Sequence, residues 1–490
     1  MMKRIRYLLI VLVVGSLCSC EGLGFLKIKP DNLILTEDAV KTKDDVKKYL
    51  NSAYDAMSYS GAFGGNAAVA ADVLADNVVT TNNGFEWSQI RSRTMNLFNP
   101  IGRDIWGQTY QAIDRANYVY DIIPEIFDGD PEGAVLRAEC RFVRALGYYH
   151  LMQYFALPYD ATTLNRPGVP VRLRGTQNIE QAATPVPRST VQEVYAQIFE
   201  DLLAAMNTLP EDNDYYPNKW AAKSFLAKIY FTVGDNANAL QYAEDVISNS
   251  PYTLDQDNVT FEAPEADKEK FRGFEYDERD GKLIVTIRNV ELKYAAAQFS
   301  SYSEDVKTNE NIFYLPSISS ANNRAGGLTG SYRTNATYTP QFQYTTFLGN
   351  LYKAIPTDNR LTWLGTDAGD NNDVGDFITR YNFDYMNAPI ISLNEVYLVA
   401  SEAAFSQNER DKARMYLNAI QARTKVPETD VSLELIRQER RKELAFLGYR
   451  LTELKRQRST DIRGVPWDSP DLLFQIPDTE QNGNPDIILN

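Results

Sequence analysis

The sequence predicts a mainly α fold in which a helical-repeat scaffold is interrupted by one long, irregular, loop-rich insertion. Three observations carry this. Apolar residues recur at helical spacing through much of residues 42–251 and again over 390–456. The small residues Ala227 and Ala239, twelve positions apart, return as Ser401 and Ala413, the repetition expected of stacked helix pairs. Between the two copies, Tyr252 to Pro389 loses helical periodicity and fills with Asn, Gly, Thr and Tyr.

Thr42 to Met57 reads as a helix, because Val46, Leu50, Ala53, Tyr54 and Met57 share one face. A Gly/Asn-rich stretch from Ser60 to Gly84 breaks the pattern. Periodicity resumes over Ile105 to Phe127 and Glu132 to Phe155, and the turn Asp128-Gly129-Asp130-Pro131 between them makes the two helices antiparallel neighbours. A connection rich in proline (Pro158, Pro167, Pro170, Pro185, Pro187) leads to a helix capped by Ser189 and stopped by Pro210. In the next pair, Leu226, Ala227, Tyr230, Ala239, Ala243 and Pro251 fall at the offsets of a tetratricopeptide repeat, with Gly234-Asp235 as the turn. Glu395 to Arg423 is a weaker copy. The insertion is no linker, since Tyr294, Phe299, Tyr302, Phe313, Tyr332, Tyr338, Phe342 and Tyr344 run through it and call for an ordered core.

At the N-terminus, Lys3, Arg4 and Arg6 precede the apolar run Tyr7 to Leu17, the pattern of a signal peptide. At 1.5 Å of rise per residue such a run reaches about half of a roughly 30 Å hydrocarbon core, so it cannot anchor the mature chain. It ends in Leu17-Cys18-Ser19-Cys20, which resembles the lipobox of bacterial lipoproteins, with cleavage before Cys20 and lipid on that cysteine. The expected organisation is a signal peptide (1–19), a lipidated tether (20–41) and a single domain (42–490). Within the domain, the helical scaffold takes 42–251 and 390–456, the ligand-binding insertion 252–389 and a C-terminal tail 457–490.

Charge and cysteine usage narrow the partners. With 65 acidic and 50 basic residues the net charge is −15, and losing the three basic residues of the signal takes it to −18. An acidic field with no Lys/Arg stripe makes nucleic acid and anionic headgroups poor partners, so contact with a membrane is expected through the lipid alone. Cys18 leaves with the signal and Cys20 carries lipid, which leaves Cys140 alone among 3 cysteines and excludes an intramolecular disulfide. Cys140 sits in a helical pattern as a small apolar group. The single histidine, His150, lies in an aromatic helical run where packing is its expected role, and no cysteine/histidine set for zinc exists.

Several stretches match one family in order. They are Glu434 to Arg456, containing LIRQERRKELAFLGYRLTELKR; Arg144-Ala145-Leu146 with Tyr148-Tyr149 and Tyr154-Phe155; Asp358-Asn359-Arg360; Glu395-Val396-Tyr397-Leu398 with Ser401-Glu402-Ala403; and Ile476-Pro477 with Asn484-Pro485. Together they resemble the SusD/RagB family of outer-membrane nutrient-binding lipoproteins of Bacteroidota, whose helix reads ERxxELxxEGxRxxDLxR. Leu447 stands where that pattern has Glu, Glu453 where it has Asp, and Ser392-Leu393-Asn394 lacks the arginine often found before Glu395. The resemblance implies a SusD-like fold on the outside of the cell, partnering a SusC-like TonB-dependent barrel and capturing glycans or peptides for import without chemistry or cofactor. The tetratricopeptide-like helices would face the barrel, with the ligand on the opposite, loop-rich surface.

The family's binding loops correspond to Asp76-Asn77 through Arg91. Sugars present CH-rich ring faces fringed by hydroxyls, so a site needs flat aromatics beside side chains that donate and accept. Phe85 and Trp87 are the candidate platforms, with Asn82, Asn83 and Arg91 as hydroxyl partners. Trp87 reads equally as a core anchor under the loop, and position in the chain alone places it among the platforms. Tyr294, Tyr302, Tyr332 and Tyr338 are candidates to complete the cleft from the insertion. Glu439 and Glu443, one helical turn apart, imitate the ~5 Å carboxylate spacing of retaining glycosidases, but Arg437, Arg440, Arg441 and Lys442 beside them point to structural ion pairs. Asp370 to Gly375 imitates part of a calcium loop. Val374 occupies a ligand position there and Tyr381 replaces the closing Glu, so it reads as a solvated turn with no metal. No nucleophile-elbow or phosphate-loop pattern is present, and an enzyme is not expected.

Overall fold

The first helix, α1 (Lys43–Met57), begins at a capping box in which the Thr42 hydroxyl accepts from Asp45 N and the Asp45 carboxylate accepts from Thr42 N. The computed structural model describes residues 40–271, 273–333, 341–365, 377–485 and 487–490. The signal peptide, Cys20, most of the tether, Tyr338 and the Asp370–Gly375 turn lie outside the described residues.

The glycine-rich stretch is more ordered than its composition suggests. It holds α2 (Asn66–Leu74) and β1 (Val78–Thr80), then α3 (Phe85–Ser92). α2 escapes a periodicity reading because Ala67, Val69, Ala70, Ala71, Val73 and Leu74 are all buried, and a helix apolar on every side shows no stripe. α4 (Pro100–Phe127) and α5 (Pro131–Phe155) follow, joined where Asp128 and Gly129 take positive φ and Asp130 caps the second helix. The short α6 (Ile179–Ala182) lies in the proline-rich connection, and α7 (Val191–Thr208) is capped by Thr190 rather than Ser189. Thr190 wins because Glu193 stands at the third helical position and closes a capping box with it. Arg144 of α5 grips Asp201 of α7 with Nε and Nη2 at 2.7 and 2.6 Å. α8 (Lys219–Val233) and α9 (Asn236–Asn249) turn at Gly234, whose φ of +85° only glycine adopts without strain.

The insertion contains more regular structure than expected. β2 (Val259–Pro264), β3 (Glu275–Arg279) and β4 (Lys282–Ile287) form an antiparallel sheet in the order β2-β4-β3. Then come α10 (Leu292–Phe299), β5 (Asn311–Leu315), α11 (Gly326–Tyr332), β6 (Phe342–Tyr344) and α12 (Thr346–Lys353). The two-residue strands β7 (Leu364–Gly365) and β8 (Phe377–Ile378) pair with each other, and β9 (Ala388–Ser392) returns to pair with β5, closing the base of the insertion. β6 pairs with β1, so the candidate loop and the insertion share a ladder: Val78 opposite Tyr344, Thr80 opposite Phe342.

The second helix pair, α13 (Leu393–Ser406) and α14 (Arg410–Arg423), packs directly on the first through α9 and α13. Helices α1, α4, α5, α7, α8, α9, α13 and α14 thus each pack on the next, and the row continues across the insertion. The twelve-residue spacing has a physical meaning, because Ser401 Oγ donates to Ala413 O at 2.8 Å where the helices cross. α15 (Leu433–Glu443), α16 (Tyr449–Arg456) and α17 (Asp478–Gly483) complete the chain. The fold is mainly α, as the sequence predicts.

Candidate ligand-binding surface

The turn that leads into α3 is held by its own asparagines. Asn82 Oδ1 accepts from Gly84 N at 2.8 Å, and Asn83 Oδ1 accepts from Arg91 Nη2 at 3.2 Å. Arg91 Nη1 reaches back to Thr80 O at 3.0 Å, which fastens the end of α3 to β1. Arg93 ends the helix in the left-handed region at φ 57°. The chain then turns to Asn99, the cap of α4, whose Nδ2 donates to Glu86 O at 3.2 Å and Gln89 Oε1 at 3.0 Å. Phe85 and Phe98 therefore stand on segments tied to each other. Both rings face solvent, at 54% and 61% exposure.

Trp87 points the other way. It is 7% exposed and sets its ring edge-on to Phe342 at 4.8 Å, anchoring α3 beneath the surface. A contact line continues inward: Phe342 to Tyr332 at 6.1 Å, Tyr332 stacked on Tyr381 at 5.7 Å, Tyr381 to Tyr294 at 5.6 Å. Tyr294 and Tyr332 are fully buried. The expectation that Trp87, Tyr294 and Tyr332 offer ring faces to a ligand is corrected by this geometry, since they form an internal spine joining α3 to the insertion. Tyr302 belongs to a different ring group. It is half-buried, stacks on Phe261 at 5.8 Å, donates to Asp267 Oδ2 at 2.7 Å and accepts from Lys270 Nζ at 3.2 Å.

The structure thus gathers Asn82, Asn83, Phe85 and Arg91 on one surface and adds Phe98, which the sequence reading missed. Phe98 lies in Asn96-Leu97-Phe98-Asn99-Pro100, an aromatic in a turn between two helices with no apolar stripe to join. That placement was its only signal.

Behind this surface lies a dense ionic interior. Asp76 accepts from Arg441 Nη2 at 2.7 Å, from both Nε and Nη2 of Arg450, and from Ile462 N. Burial pushes its carboxyl up, but Arg450 and Arg441 outweigh that and hold it below the usual range. Among the described residues, Asp72 accepts from Gly448 N at 2.9 Å and Asn77 Nδ2 at 3.4 Å, and burial raises it to about 7. Glu439 and Glu443 are both buried. Glu443 accepts from Arg360 Nη1 at 2.9 Å and Asn394 Nδ2 at 2.7 Å and pairs with Arg423, while Glu439 lies 2.6 Å from Arg360 Nη2 and 3.2 Å from Lys442 Nζ. Despite its burial, Glu443 is held well below the usual carboxylate range by Arg423, Lys293 and Arg360. These are structural ion pairs sealed from solvent.

Arg440 of the same motif is buried in the same way. Arg440 bonds Glu453 Oε1 at 2.8 Å and Glu395 Oε1 at 3.2 Å. Gly448 sits at φ +78°, and a Cβ there would lie 2.8 Å from Ala68 Cα. His150 is buried against Phe63 and Tyr154 with Nε2 3.2 Å from Gly61 O, and burial lowers it to about 4, so it remains neutral. Cys140 is buried and free.

Residues 212–487 of the chain match the family model described as "SusD family", and residues 24–231 match one described as "Starch-binding associating with outer membrane". Among curated proteins, SusD-like protein P2 of Formosa agariphila is 26% identical over 253 residues, 51% of this chain and 47% of the relative. SusD-like protein P25 of the same organism is 25% identical over 277 residues, 52% and 48% of the two chains. The chain spans about half the length of the curated relatives it matches. Among solved structures, a putative sugar binding protein from Bacteroides vulgatus superposes with a TM-score of 0.73 at 22% identity, covering 92% of this chain and 99% of that one. A laminarin binding SusD-like protein gives a TM-score of 0.69 at 21% identity, with 92% and 99% covered. These likenesses show a shared fold, and a family model that takes in more than half of the 490 residues shows that the chain belongs to the SusD family.

Proposed function

We propose that this chain is a lipid-anchored protein of the outer membrane, facing the cell exterior, which captures oligosaccharide and hands it to a SusC-like TonB-dependent transporter without chemistry. Cys20 carries the lipid in this reading, and the ligand meets the solvent face of α3. One observation carries the capture role: Phe85 and Phe98 stand more than half exposed on segments tied through Asn99, beside Asn83 and Arg91. Two rings and adjacent amide and guanidinium groups suit the apolar faces and hydroxyl rim of a sugar. Ring faces of this kind each contribute about 1 kcal/mol or more, so truncating both should lower affinity by roughly 10-fold or more. The purified protein is tested against a panel of glycans beside a pool of peptides, in native form and as Phe85→Ala/Phe98→Ala. Saturable glycan binding that the double variant weakens while its melting temperature stays put supports the reading. Binding confined to peptides replaces glycan with peptide as the cargo, and glycan affinity unchanged in the variant moves the site elsewhere.

A further inference from the structure

A groove of about 260 Å³ opens between α12, α15 and α16. Arg437, Arg440, Arg441 and Arg450 line it, against the carboxylates of Glu434 and Glu453. The pairing behind the groove leaves positive charge over. Arg441 and Arg450 share the carboxylate of Asp76, while Arg437, Arg440, Arg456 and Lys228 share Glu402, Glu453 and Glu395. Six cations thus meet four anions among the described residues. Glu434, exposed at the rim and bonded by Gln438, narrows the excess without closing it. Burial, together with Arg450 beside it, lowers Arg441 to about 10, so its charge is under-compensated where it stands. On a chain of net charge −15 this is a local reversal of sign.

The spare donors can be reached. Arg437 gives Nε to Glu402 at 3.0 Å, Arg441 gives Nε to Asn77 and Nη2 to Asp76, and Arg450 gives Nε and Nη2 to Asp76. The other Nη groups of these three have no acceptor among the described residues and, unlike Nη1 of Arg440, are not sealed from solvent. Their side chains are 32%, 10% and 10% exposed. Phe347 stands in the same wall, 46% exposed, with the Arg441 guanidinium 4.6 Å from its ring centre.

We propose that this groove is an anion site, taking the carboxylate of a ligand about the size of one sugar or amino-acid residue. A guanidinium presents its N–H groups as a planar fork that matches a carboxylate, and such charge-assisted hydrogen bonds are the strong ones. A carboxylate held by Arg437, Arg441 and Arg450 supplies the missing counter-charge. The space far exceeds the ~10–15 Å³ that admits one water, so more than a bare ion fits beside Phe347. The groove shares no residue with the α3 surface, so each stands or falls alone.

Calorimetric titration of the purified protein in low-salt buffer tests this. D-glucuronate and N-acetyl-L-glutamate are the two sources of carboxylate, and D-glucose is the uncharged control. Saturable binding of at least one acid is expected, weakened by added NaCl and unaffected by Phe85→Ala/Phe98→Ala. The tighter acid identifies the source. Arg437→Gln, which leaves Glu402 paired with Arg456, should weaken binding by about 10-fold. Glu434→Gln, at the exposed rim, should tighten it by about 3-fold. Absence of saturable binding by both acids overturns the inference, as does equal binding of D-glucose. A native affinity in Arg437→Gln overturns it too; should that variant melt early, an affinity unchanged in Glu434→Gln does so instead. Binding abolished by Phe85→Ala/Phe98→Ala places the anion at the α3 surface and overturns the groove alone.

Discussion

Trp87→Ala deletes the indole that fastens α3 to the insertion. At 7% exposure with Phe342 edge-on at 4.8 Å, the ring is core, and deleting a buried Trp costs roughly 3–5 kcal/mol in transfer and cavity terms. With an unfolding entropy of about 2.1 cal/mol/K per residue over roughly 450 residues, each kcal/mol lowers Tm by about 1 °C, so a fall of about 3–5 °C is expected. Scanning calorimetry reads this directly, with Trp87→Phe as a control that keeps a ring and loses less. Glycan affinity should weaken along with stability, because Phe85 rides on the same helix two residues away. An unchanged Tm with binding abolished would make Trp87 a surface contact and refute the spine of buried rings.

Three further outcomes follow from the interior. Arg440→Met leaves Glu395 and Glu453 buried without their shared guanidinium and should cost about 3–5 kcal/mol in urea titration, whereas a cost under 1 kcal/mol would show that pairing to be dispensable. Gly448→Ala forces a Cβ against Ala68 at φ +78° and should destabilise by about 2–4 kcal/mol, and a neutral result would contradict the local backbone. Asp72, raised to about 7 by burial, keeps a proton in the folded chain that the unfolded chain loses above about pH 4. Its contribution is full below that pH and is lost as pH rises through 7, by up to about 1.4 kcal/mol per pH unit. Urea midpoints from pH 5 to 8 should fall more steeply for native protein than for Asp72→Asn, and parallel profiles would remove Asp72 from the balance.

Much of the scaffold was legible because its signals are local. Thr42, Asp130 and Gly234 mark helix ends through hydrogen-bond chemistry that depends on neighbours in sequence, and the Ser401–Ala413 spacing anticipates a real crossing. α2 was hidden because burial on all sides erases periodicity. The site was half legible. Residues two apart on a helix point about 200° apart, so Phe85 and Trp87 cannot both face out, and Ile90 marks the buried side that Trp87 shares. Which of Tyr294, Tyr302 and Tyr332 is exposed depends on partners such as Tyr381 and Phe342, set by long-range pairing that residue type does not encode. The family motif announced ion pairs, but their partners Asp358, Arg360 and Glu395 are distant in sequence and only the fold identifies them.

Amide hydrogen exchange on the protein, free and saturated with its tightest-binding glycan, tests the capture surface most directly. Exchange should slow across residues 82–99, and the slowing should vanish in Phe85→Ala/Phe98→Ala at the same glycan concentration. Unchanged exchange over 82–99 at saturation would contradict a ligand held on the face of α3.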